Sequence, residues 1–277
     1  MKTKEPKLGE PAESSVPTPA KNLAKGLGIL NLIATRTDGL TLTEVSRLSG
    51  VPKATAHRLI NVLLEYGMVR ASSEDKYLAG PQCLVLGNLF LSGLSLRQEA
   101  QDLLRKLSQQ TLETCHLGIK DGTQIVYIEK VESPHPVRMY SRVGATNPVH
   151  STALGRAILA YCDEEAVEAV ISSGLEHRTP NTITEPERFR ANLVEVKRRG
   201  FAVDDIENEE GIRCVAAPVF DHTGEVVAGI SVSGPEQRVS ADRLNDLGVM
   251  VAASAFDLSK RLGYAAEGKD DYRSVSG

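Results

Sequence analysis

The segment from residue 51 to residue 67 concentrates basic and hydrogen-bonding side chains on the first turns of a predicted helix. Lysine and arginine neutralise phosphates or donate to guanine, whereas threonine and histidine form hydrogen bonds with base edges. Small side chains let such a helix approach closely. The combination predicts contact with double-stranded DNA, and a merely solvated helix face is the alternative. The candidate contacts are Lys53, Ala54, Thr55, His57 and Arg58.

A second set of polar residues suits an organic anion. The run Ser151-Thr152-Ala153-Leu154-Gly155 opens a predicted helix with a hydroxyl cap and small side chains. Unpaired N–H groups and the dipole at a helix N-terminus favour a negative group such as a carboxylate. Strand alternation also places Ser231 and Ser233 on one face of a sheet, where they offer paired hydroxyl groups. Simple exposure to solvent is the alternative for these two serines.

The cysteines offer a weaker hypothesis of enzymatic chemistry. The four are widely scattered without CxxC spacing, so neither a zinc knuckle nor a disulfide framework is indicated. Cys214 and His150 suggest a thiol nucleophile with its base, but a buried strand cysteine explains Cys214 equally simply. Cys115 and His116 are adjacent on a strand, so they face opposite ways and do not share a metal. Since no Walker loop or nucleophile elbow occurs, we expect no catalysis, no cofactor and no metal.

A helix, a tight turn and a second helix are predicted to present the basic face. Residues 41–44 (Thr-Leu-Thr-Glu) match a capping box. The short helix that follows has three apolar residues that we expect to be buried, Leu42, Val45 and Leu48. Gly50 suits the left-handed residue that ends a helix, and Pro52 suits the first turn of the next one. The apolar stripe of that second helix consists of Ala56, Leu59, Ile60 and Leu63.

Two flanking elements complete a winged helix-turn-helix over residues 21–82. A preceding helix spans residues 21–35, with apolar residues at helical spacing at Leu23, Leu27, Leu30 and Ala34. Residues 68–71 and 76–78 are predicted strands joined by a turn, which form a wing. Lys76 is the candidate contact of this wing with a phosphate. Because the second helix of the motif enters the major groove, we expect this unit to bind DNA; a winged helix used for protein contacts is the alternative.

A mixed domain follows a predicted linker helix at residues 83–95. The run Leu84–Leu91 within the linker is apolar almost all round, which favours contact with a second chain. Helices that flank an antiparallel sheet make residues 96–264 an α/β mixed (α+β) domain. Its predicted helices are 96–112, 151–162, 164–172, 186–199 and 241–262. Its predicted strands are 115–120, 124–131, 137–142, 201–205, 213–220 and 225–233.

The composition is that of an ordinary globular protein, because 41% of its 277 residues are hydrophobic and 25% are charged. The net charge of −4 argues weakly against a nucleic-acid partner, yet residues 1–82 carry 11 Lys and Arg against 8 Asp and Glu. No apolar run approaches the roughly 20 residues of a membrane helix. Residues 1–20 lack the apolar core of a secretory signal. We expect a disordered tail there, a flexible tail at 265–277 and a reducing, cytoplasmic compartment.

The order of these motifs resembles the IclR family of transcriptional regulators over about residues 22–264. The resemblance lies in the winged helix and in four further segments, Ala24–Leu30, Arg138–Ser141, Pro148–Gly155 and Gly200–Pro218. Within the family, His116–Gly118, Val126–Ile128 and Arg138–Arg142 most resemble the KdgR-like regulators of sugar-acid breakdown. The resemblance implies a C-terminal GAF-like effector-binding domain, a palindromic operator, and a homodimer or a dimer of dimers.

The resemblance also implies where an effector binds. Positions that line the site in the family match Asp204, Cys214, Ser231 and Ser233, and the positions that border it match Met139, Ser151, Thr152 and Ala153. An ionised Asp204 accepts hydrogen bonds from ligand hydroxyl groups, so we expect a small hydroxy- or keto-acid of the sugar-acid type. A structural cap at a strand end is the alternative for Asp204. For the whole domain, the alternative is a module that only oligomerises.

Overall fold

The structure is a computed structural model that describes residues 20–93, 95–137, 139 and 141–265. The chain separates into two compact units between residues 94 and 95. Apart from residues 20 and 265, the two expected tails lie outside the described residues. In the part of the chain that the structure describes, no helix is long and apolar enough to cross a bilayer.

The N-terminal unit is a winged helix-turn-helix followed by one further helix. Its elements are α1 (Lys21–Ala34), β1 (Leu40–Thr41), α2 (Leu42–Ser49), α3 (Lys53–Glu65), β2 (Val69–Ala71), β3 (Lys76–Ala79) and α4 (Pro81–Gly93). The strands form an antiparallel sheet in the order β1-β3-β2. The two-residue strand β1 is too short to leave a periodic signal in the sequence, which explains why it was not predicted.

Local capping signals fix the turn between α2 and α3. Thr41 and Glu44 form the predicted capping box, and Gly50 ends α2 with a φ of 67°. The Ser46 hydroxyl donates to the Val51 carbonyl oxygen at 2.8 Å, which ties the end of the turn back to α2. Pro52 is the N-cap residue of α3 and not part of its first turn, a small correction to the prediction.

Two helices of this unit bury a narrower face than their apolar spacing indicates, and the predicted burial of Leu42 and Leu48 is wrong. The face of α1 that is buried consists of Gly26, Ile29, Leu30 and Ile33, whereas Leu23 and Leu27 are exposed. Apolar residues occupy several sides of α1, so more than one stripe satisfies the helical spacing and only the packing partners decide between them. In α2, Leu48 is 40% exposed and Leu42 is only partly covered, so Val45 alone is fully buried.

The C-terminal unit is an antiparallel six-stranded sheet between two layers of helices. In chain order its elements are α5 (Leu96–Thr111), β4 (Thr114–Asp121), β5 (Gln124–Val131), β6 (Thr146–Pro148), α6 (Ala153–Leu159), α7 (Glu164–Ser172), α8 (Pro186–Arg199), β7 (Ala202–Asp205), β8 (Ile212–Phe220), β9 (Val226–Pro235) and α9 (Leu244–Arg261). The strand order is β6-β5-β4-β9-β8-β7. The core on one face of the sheet includes α6, α7 and α8, while α5 and α9 pack together and against the sheet.

The prediction of a strand over residues 137–142 is wrong for the residues of that segment that the structure describes. Pro136 immediately precedes it and lacks the N–H group that a sheet ladder requires. The strand β6, which pairs with β5 through Gln124–Val126, supplies this edge of the sheet instead. The helix predicted at 151–162 is also shorter, since α6 has only seven residues.

Glycines allow α6 to lie close to the sheet. A Cβ atom on Gly229 of β9 would stand 2.8 Å from a methyl carbon of Leu154 in α6. A Cβ atom on Gly155 of α6 would stand 2.0 Å from the Val149 carbonyl oxygen. Any larger residue at either position would push the helix away from the strands. The close packing of α6 on the sheet and on the segment before it therefore depends on these two glycines.

A buried ion pair joins α6 to the turn that follows β7. The fully buried Arg156 guanidinium donates to both carboxylate oxygens of Glu207, at 2.6 and 2.8 Å, and to the Val203 carbonyl oxygen at 2.7 Å. Bidentate pairing with a carboxylate is the strong geometry for a guanidinium group. Since both groups are removed from water, each depends on the other for its stabilisation.

We therefore expect the Glu207→Ala substitution to lower the free energy of unfolding by about 3–5 kcal/mol, because it leaves the Arg156 charge buried without its partner. Urea unfolding of the full chain measures the loss. The matched control is Glu195→Ala, which breaks the exposed pair with Arg198 and should leave the unfolding midpoint almost unchanged. Equal midpoints for the two variants would contradict the importance of the buried pair.

Candidate functional site

The polar face of α3 is open to solvent in the N-terminal unit. Ala56 and Ile60 are buried against the core, Thr55 is partly covered, and the remaining candidate DNA contacts Lys53, Ala54, His57 and Arg58 are exposed. The Lys53 ammonium group lies 3.2 Å from the Thr43 hydroxyl at the start of α2. The face therefore presents cations and donors without an exposed large apolar side chain among these residues, as the groove-facing side of a recognition helix requires.

The wing differs from the sequence prediction in the surroundings of Lys76. Its ammonium group forms an ion pair with Glu74 at 3.1 Å, and this hydrogen bond is the main reason that the pKa of Lys76 is raised. A phosphate contact by Lys76 therefore has to compete with Glu74. Arg70, which is exposed on β2, is a second cation of the wing that the sequence analysis did not single out.

The residues expected to line the effector site share one face of the sheet. Asp204 is paired with Cys214 across β7 and β8, and Cys214 with Ser233 across β8 and β9. The Ser233 hydroxyl donates to the Cys214 sulfur atom at 2.9 Å. Ser231 is two residues earlier on β9 and therefore on the same face. All four side chains are buried, so the alternative of solvent-exposed serines is wrong.

Two buried polar atoms of this face have no hydrogen-bond partner among the described residues. They are the Nδ1 atom of His116 and the Ser231 hydroxyl oxygen, which has only a weak interaction with the Cys214 thiol. His116 is paired with Ser231 across β4 and β9, so the two side chains are neighbours. Buried polar groups are nearly always hydrogen-bonded, and an unpaired one costs about 1–3 kcal/mol. Two such atoms on neighbouring residues make this face the candidate site for a polar ligand.

The start of α6 borders the same region. The Thr152 hydroxyl accepts a hydrogen bond from the Gly155 N–H group, and the Ser151 hydroxyl donates to the Asn208 side chain at 2.9 Å. Among the described residues, the N–H groups of Ala153 and Leu154 have no hydrogen-bond acceptor. The two hydroxyl groups thus build the site, and the free N–H groups are the donors that it offers. Met139, the other bordering residue, is buried.

Asp204 is a structural cap at the end of a strand, which was the alternative interpretation, but only one of its carboxylate oxygens has this role. Its Oδ1 atom accepts hydrogen bonds from the N–H groups of Glu207 and Asn208, at 2.7 and 3.3 Å. Burial raises the pKa of Asp204 to about 7, an effect that the nearby Arg156 charge opposes. Within the described residues, its Oδ2 atom has no hydrogen bond. That oxygen is the part of Asp204 that a ligand hydroxyl group can use.

The arrangement does not fit a thiol enzyme. Burial raises the pKa of the Cys214 thiol to about 12, so the reactive thiolate is absent at neutral pH. The Nε2 atom of His150, the hypothetical base, donates a hydrogen bond to the Glu176 carbonyl oxygen at 2.9 Å. Cys115 and His116 point to opposite faces of β4, as expected from strand alternation.

Sequence analysis missed four polar residues that surround the site, namely His116, Tyr127, Asn147 and Asn208. The His116 and Tyr127 rings are in contact, with centroids 4.6 Å apart and their planes tilted by 32°. Asn147 donates to the Tyr127 hydroxyl at 3.2 Å and accepts from Asn208 at 3.5 Å. These residues come together only in the folded sheet domain. The sequence alone indicates no more than that His116 and Cys115 face opposite sides of β4.

A separate cleft of about 570 Å³ lies beside α8 and the end of β7. Its lining includes Asn181, Ile183, Arg188, Asp205 and Glu207. None of the residues expected to bind the effector lines it. Its walls are mostly exposed, with only Ile183 and Glu207 buried. Because no unpaired buried side-chain atom lines it among the described residues, it is a weaker candidate than the sheet face.

A winged helix joined to a sheet domain with a buried polar face is the architecture of a DNA-binding transcriptional regulator. Comparison with known families agrees with this class. The model of the IclR helix-turn-helix domain matches residues 22–73, and that of the bacterial transcriptional regulator IclR C-terminal domain matches residues 89–260. The chain belongs to the IclR family and is a transcriptional regulator, not an enzyme.

Individual relatives cover nearly the whole chain. The regulator KdgR of Escherichia coli is 36% identical over 251 residues, which are 90% of this chain and 95% of KdgR. The transcriptional repressor IclR of the same organism is 32% identical over 92% of this chain and 95% of its own length. The crystal structure of a putative IclR regulator from Silicibacter sp. TM1040 has a TM-score of 0.81 at 31% identity, with 88% of this chain and 96% of that chain covered.

We expect Arg58→Ala to weaken operator binding by about 1–3 kcal/mol if Arg58 makes a bidentate contact with a base. Fluorescence anisotropy with operator and with scrambled DNA measures the loss, which should be confined to the operator. The matched control is Arg188→Ala, which removes an exposed cation from the C-terminal unit and should change neither affinity. Unchanged operator affinity in a folded Arg58→Ala protein would contradict the placement of α3 in the groove.

For the wing, we expect Lys76→Ala to weaken binding to all sequences alike and to lower the salt dependence by about one unit. Glu74→Gln should have the opposite effect, because it releases the Lys76 ammonium group from its ion pair. Salt titrations of both variants on scrambled DNA measure the two slopes. A Lys76→Ala protein with the slope of the wild type would exclude Lys76 as a phosphate contact.

Proposed function

We propose that this regulator binds a small hydroxy- or keto-acid of the sugar-acid type on the sheet face beneath α6, and that the ligand changes its affinity for the operator. The observation that carries the proposal is the buried Ser231 hydroxyl without a partner, next to the Cys214–Ser233 hydrogen bond. The similarity to KdgR supports the same class of ligand. The protein acts in the cytoplasm, where its DNA target lies.

Charges and donors around the site favour an acid that also carries hydroxyl groups. The free N–H groups of Ala153 and Leu154 suit a carboxylate, although α6 is short and its dipole correspondingly weak. On the opposite side, the Oδ2 atom of Asp204 accepts a hydrogen bond from a ligand hydroxyl. A plain acid leaves that oxygen unsatisfied, so a hydroxylated acid binds better.

The proposal includes a symmetric oligomer. One winged helix reads one half-site, so a palindromic operator requires at least two copies. The linker helix α4 provides an apolar surface for this contact, since Leu84, Val85, Leu86 and Leu89 are all exposed in the single chain. A dimer formed through α4, or a pair of such dimers, covers that surface.

To test the effector proposal, we would measure the thermal shift of the full chain with pyruvate, D-glycerate, D-gluconate and 2-keto-D-gluconate. A ligand that binds the native state raises the unfolding temperature. Asp204→Asn, which keeps Oδ1 as the cap, and Ser233→Ala should reduce both the shift and the change in operator affinity. Ligand-free operator affinity should stay close to that of the wild type.

The matched control for these variants is Ser172→Ala, which removes an exposed hydroxyl from α7 and should respond like the wild type. A full response in Asp204→Asn and Ser233→Ala would show that the ligand binds elsewhere. No shift with any of the acids would favour a C-terminal unit that only oligomerises.

To test the oligomer, we expect the double variant Leu84→Glu and Leu89→Glu to shift the protein towards a monomer, because charges on α4 oppose burial of that face. Light scattering after size-exclusion chromatography gives the mass, and operator affinity should fall with it. Val194→Glu introduces a charge at an exposed apolar residue of α8 and serves as the control. A monomeric wild type that still binds the operator tightly would contradict the symmetric arrangement.

A further inference from the structure

We propose that His116 is a specificity-determining residue of the effector site, where its Nδ1–H group and the Ser231 hydroxyl together donate hydrogen bonds to the carboxylate of the acid. This inference rests on the proposed function and adds to it. His116 is not among the residues that match the family's effector site. It follows from the geometry of β4 and β9.

The first argument is the pair of unsatisfied atoms. His116 and Ser231 are fully buried, they are direct partners across β4 and β9, and each has one polar atom without a hydrogen bond among the described residues. Directly opposed residues of adjacent strands have Cβ atoms about 4.5–5.5 Å apart. The two oxygens of one carboxylate group can therefore meet both side chains.

The second argument concerns the tautomer of His116. Burial lowers the pKa of His116 to about 3, and the Lys130 charge adds to this effect, so the ring is neutral at pH 7. A neutral imidazole has one donor nitrogen and one acceptor nitrogen. Its Nε2 atom lies 2.7 Å from the Ser141 hydroxyl oxygen, and one of these two groups must donate to the other.

The position of Lys130 decides between the two tautomers. Its ammonium group donates to the Ser141 backbone carbonyl at 2.6 Å and to the half-exposed Glu132 carboxylate at 3.0 Å, so a partly offset positive charge lies on the Nε2 side of the ring. A positive charge favours a lone pair on the nearer nitrogen and disfavours an N–H group there. Ser141 therefore donates to Nε2, the proton resides on Nδ1, and the unsatisfied atom of His116 is a donor.

The third argument is that donors converge on this part of the site. The Leu154 side chain of α6 contacts Gly118 and Gly229, which form the next pair on the same face after His116 and Ser231. The first turn of α6, which carries the free N–H groups of Ala153 and Leu154, therefore packs on this part of the face. Asp204, the acceptor, belongs to β7, three strands away from β4. In the proposed arrangement the acid end of the ligand faces His116, and the hydroxyl groups of a longer acid extend across the face towards Asp204.

The tautomer itself is testable without any ligand. Two-bond ¹H–¹⁵N correlation spectra of the ¹⁵N-labelled full chain at pH 7 distinguish a protonated Nδ1 from a protonated Nε2. The signals of His116 are identified by their absence from the spectrum of His116→Asn. We expect a neutral ring with the proton on Nδ1. A proton on Nε2 would overturn the proposal whatever the variants below show.

Two substitutions separate a ligand contact from a structural role. Asparagine places its amide nitrogen near the position of Nδ1, and glutamine places its own near Nε2. His116→Asn should keep the affinity for the acids of the panel above within a few-fold. His116→Gln, which keeps a partner for Ser141 but loses the ligand donor, should bind them roughly 10- to 100-fold more weakly. The control is His222→Gln, an exposed residue of a hairpin turn.

Primary amides of the same acids identify the ligand group involved. The wild type should prefer each acid over its amide, and His116→Gln should lose most of this preference. An unchanged preference in His116→Gln, or equal losses in the two His116 variants, would overturn the role of His116 while the proposed function stands. If the wild type binds none of the acids, the proposed function fails, and the inference about His116 fails with it.

Discussion

The ion pair between Arg156 and Glu207 is the constraint on which the geometry of the proposed effector site depends. Arg156 belongs to α6, and Glu207 belongs to the turn that Asp204 caps. The buried Arg156 guanidinium group therefore fixes two parts of the site, namely α6, which covers it, and the turn next to the acceptor Asp204. The same charge opposes the rise in the pKa of Asp204 that burial causes. Arg156 therefore influences both the position of the turn and the protonation of Asp204.

The sheet face beneath α6 combines close packing with polar groups that the fold does not satisfy. Gly155 and Gly229 bring the helix down onto the strands, and this closeness removes water from Ser231 and His116. A core optimised for stability alone would hold apolar side chains there, because unpaired buried polar atoms destabilise the native state. The stability lost through these unpaired atoms is regained only when a ligand binds and supplies the missing hydrogen bonds. The unsatisfied atoms are therefore a source of affinity as well as a local cost in stability.

The sequence predicts the DNA-binding unit better than the effector site, because the two depend on different kinds of interaction. The capping box at Thr41 and Glu44, the glycine at the end of α2 and the hairpin of the wing are local, and each leaves a signal within a few residues. The effector site joins residues from β4, β7, β8, β9 and α6. Strand alternation paired Ser231 with Ser233, and the family resemblance added Asp204 and Cys214. Nothing local indicated that His116 lies opposite Ser231, since that depends on register between strands more than 100 residues apart.

The two sides of the effector site differ in how firmly they are held. On the side of β7, the buried pair of Arg156 and Glu207 ties the turn to α6. On the side of β4 and β5, His116 and Lys130 contact Ser141, and Lys130 also pairs with the half-exposed Glu132. On the opposite face of β5, Glu129 accepts hydrogen bonds from Arg97 and Gln101 in the first turns of α5. A ligand changes operator affinity only if it binds two states of the protein unequally. If the firmly held side is the same in both states, the difference has to arise at β4 and β5. Those strands are the ones linked to α5, the helix that follows α4 in the chain.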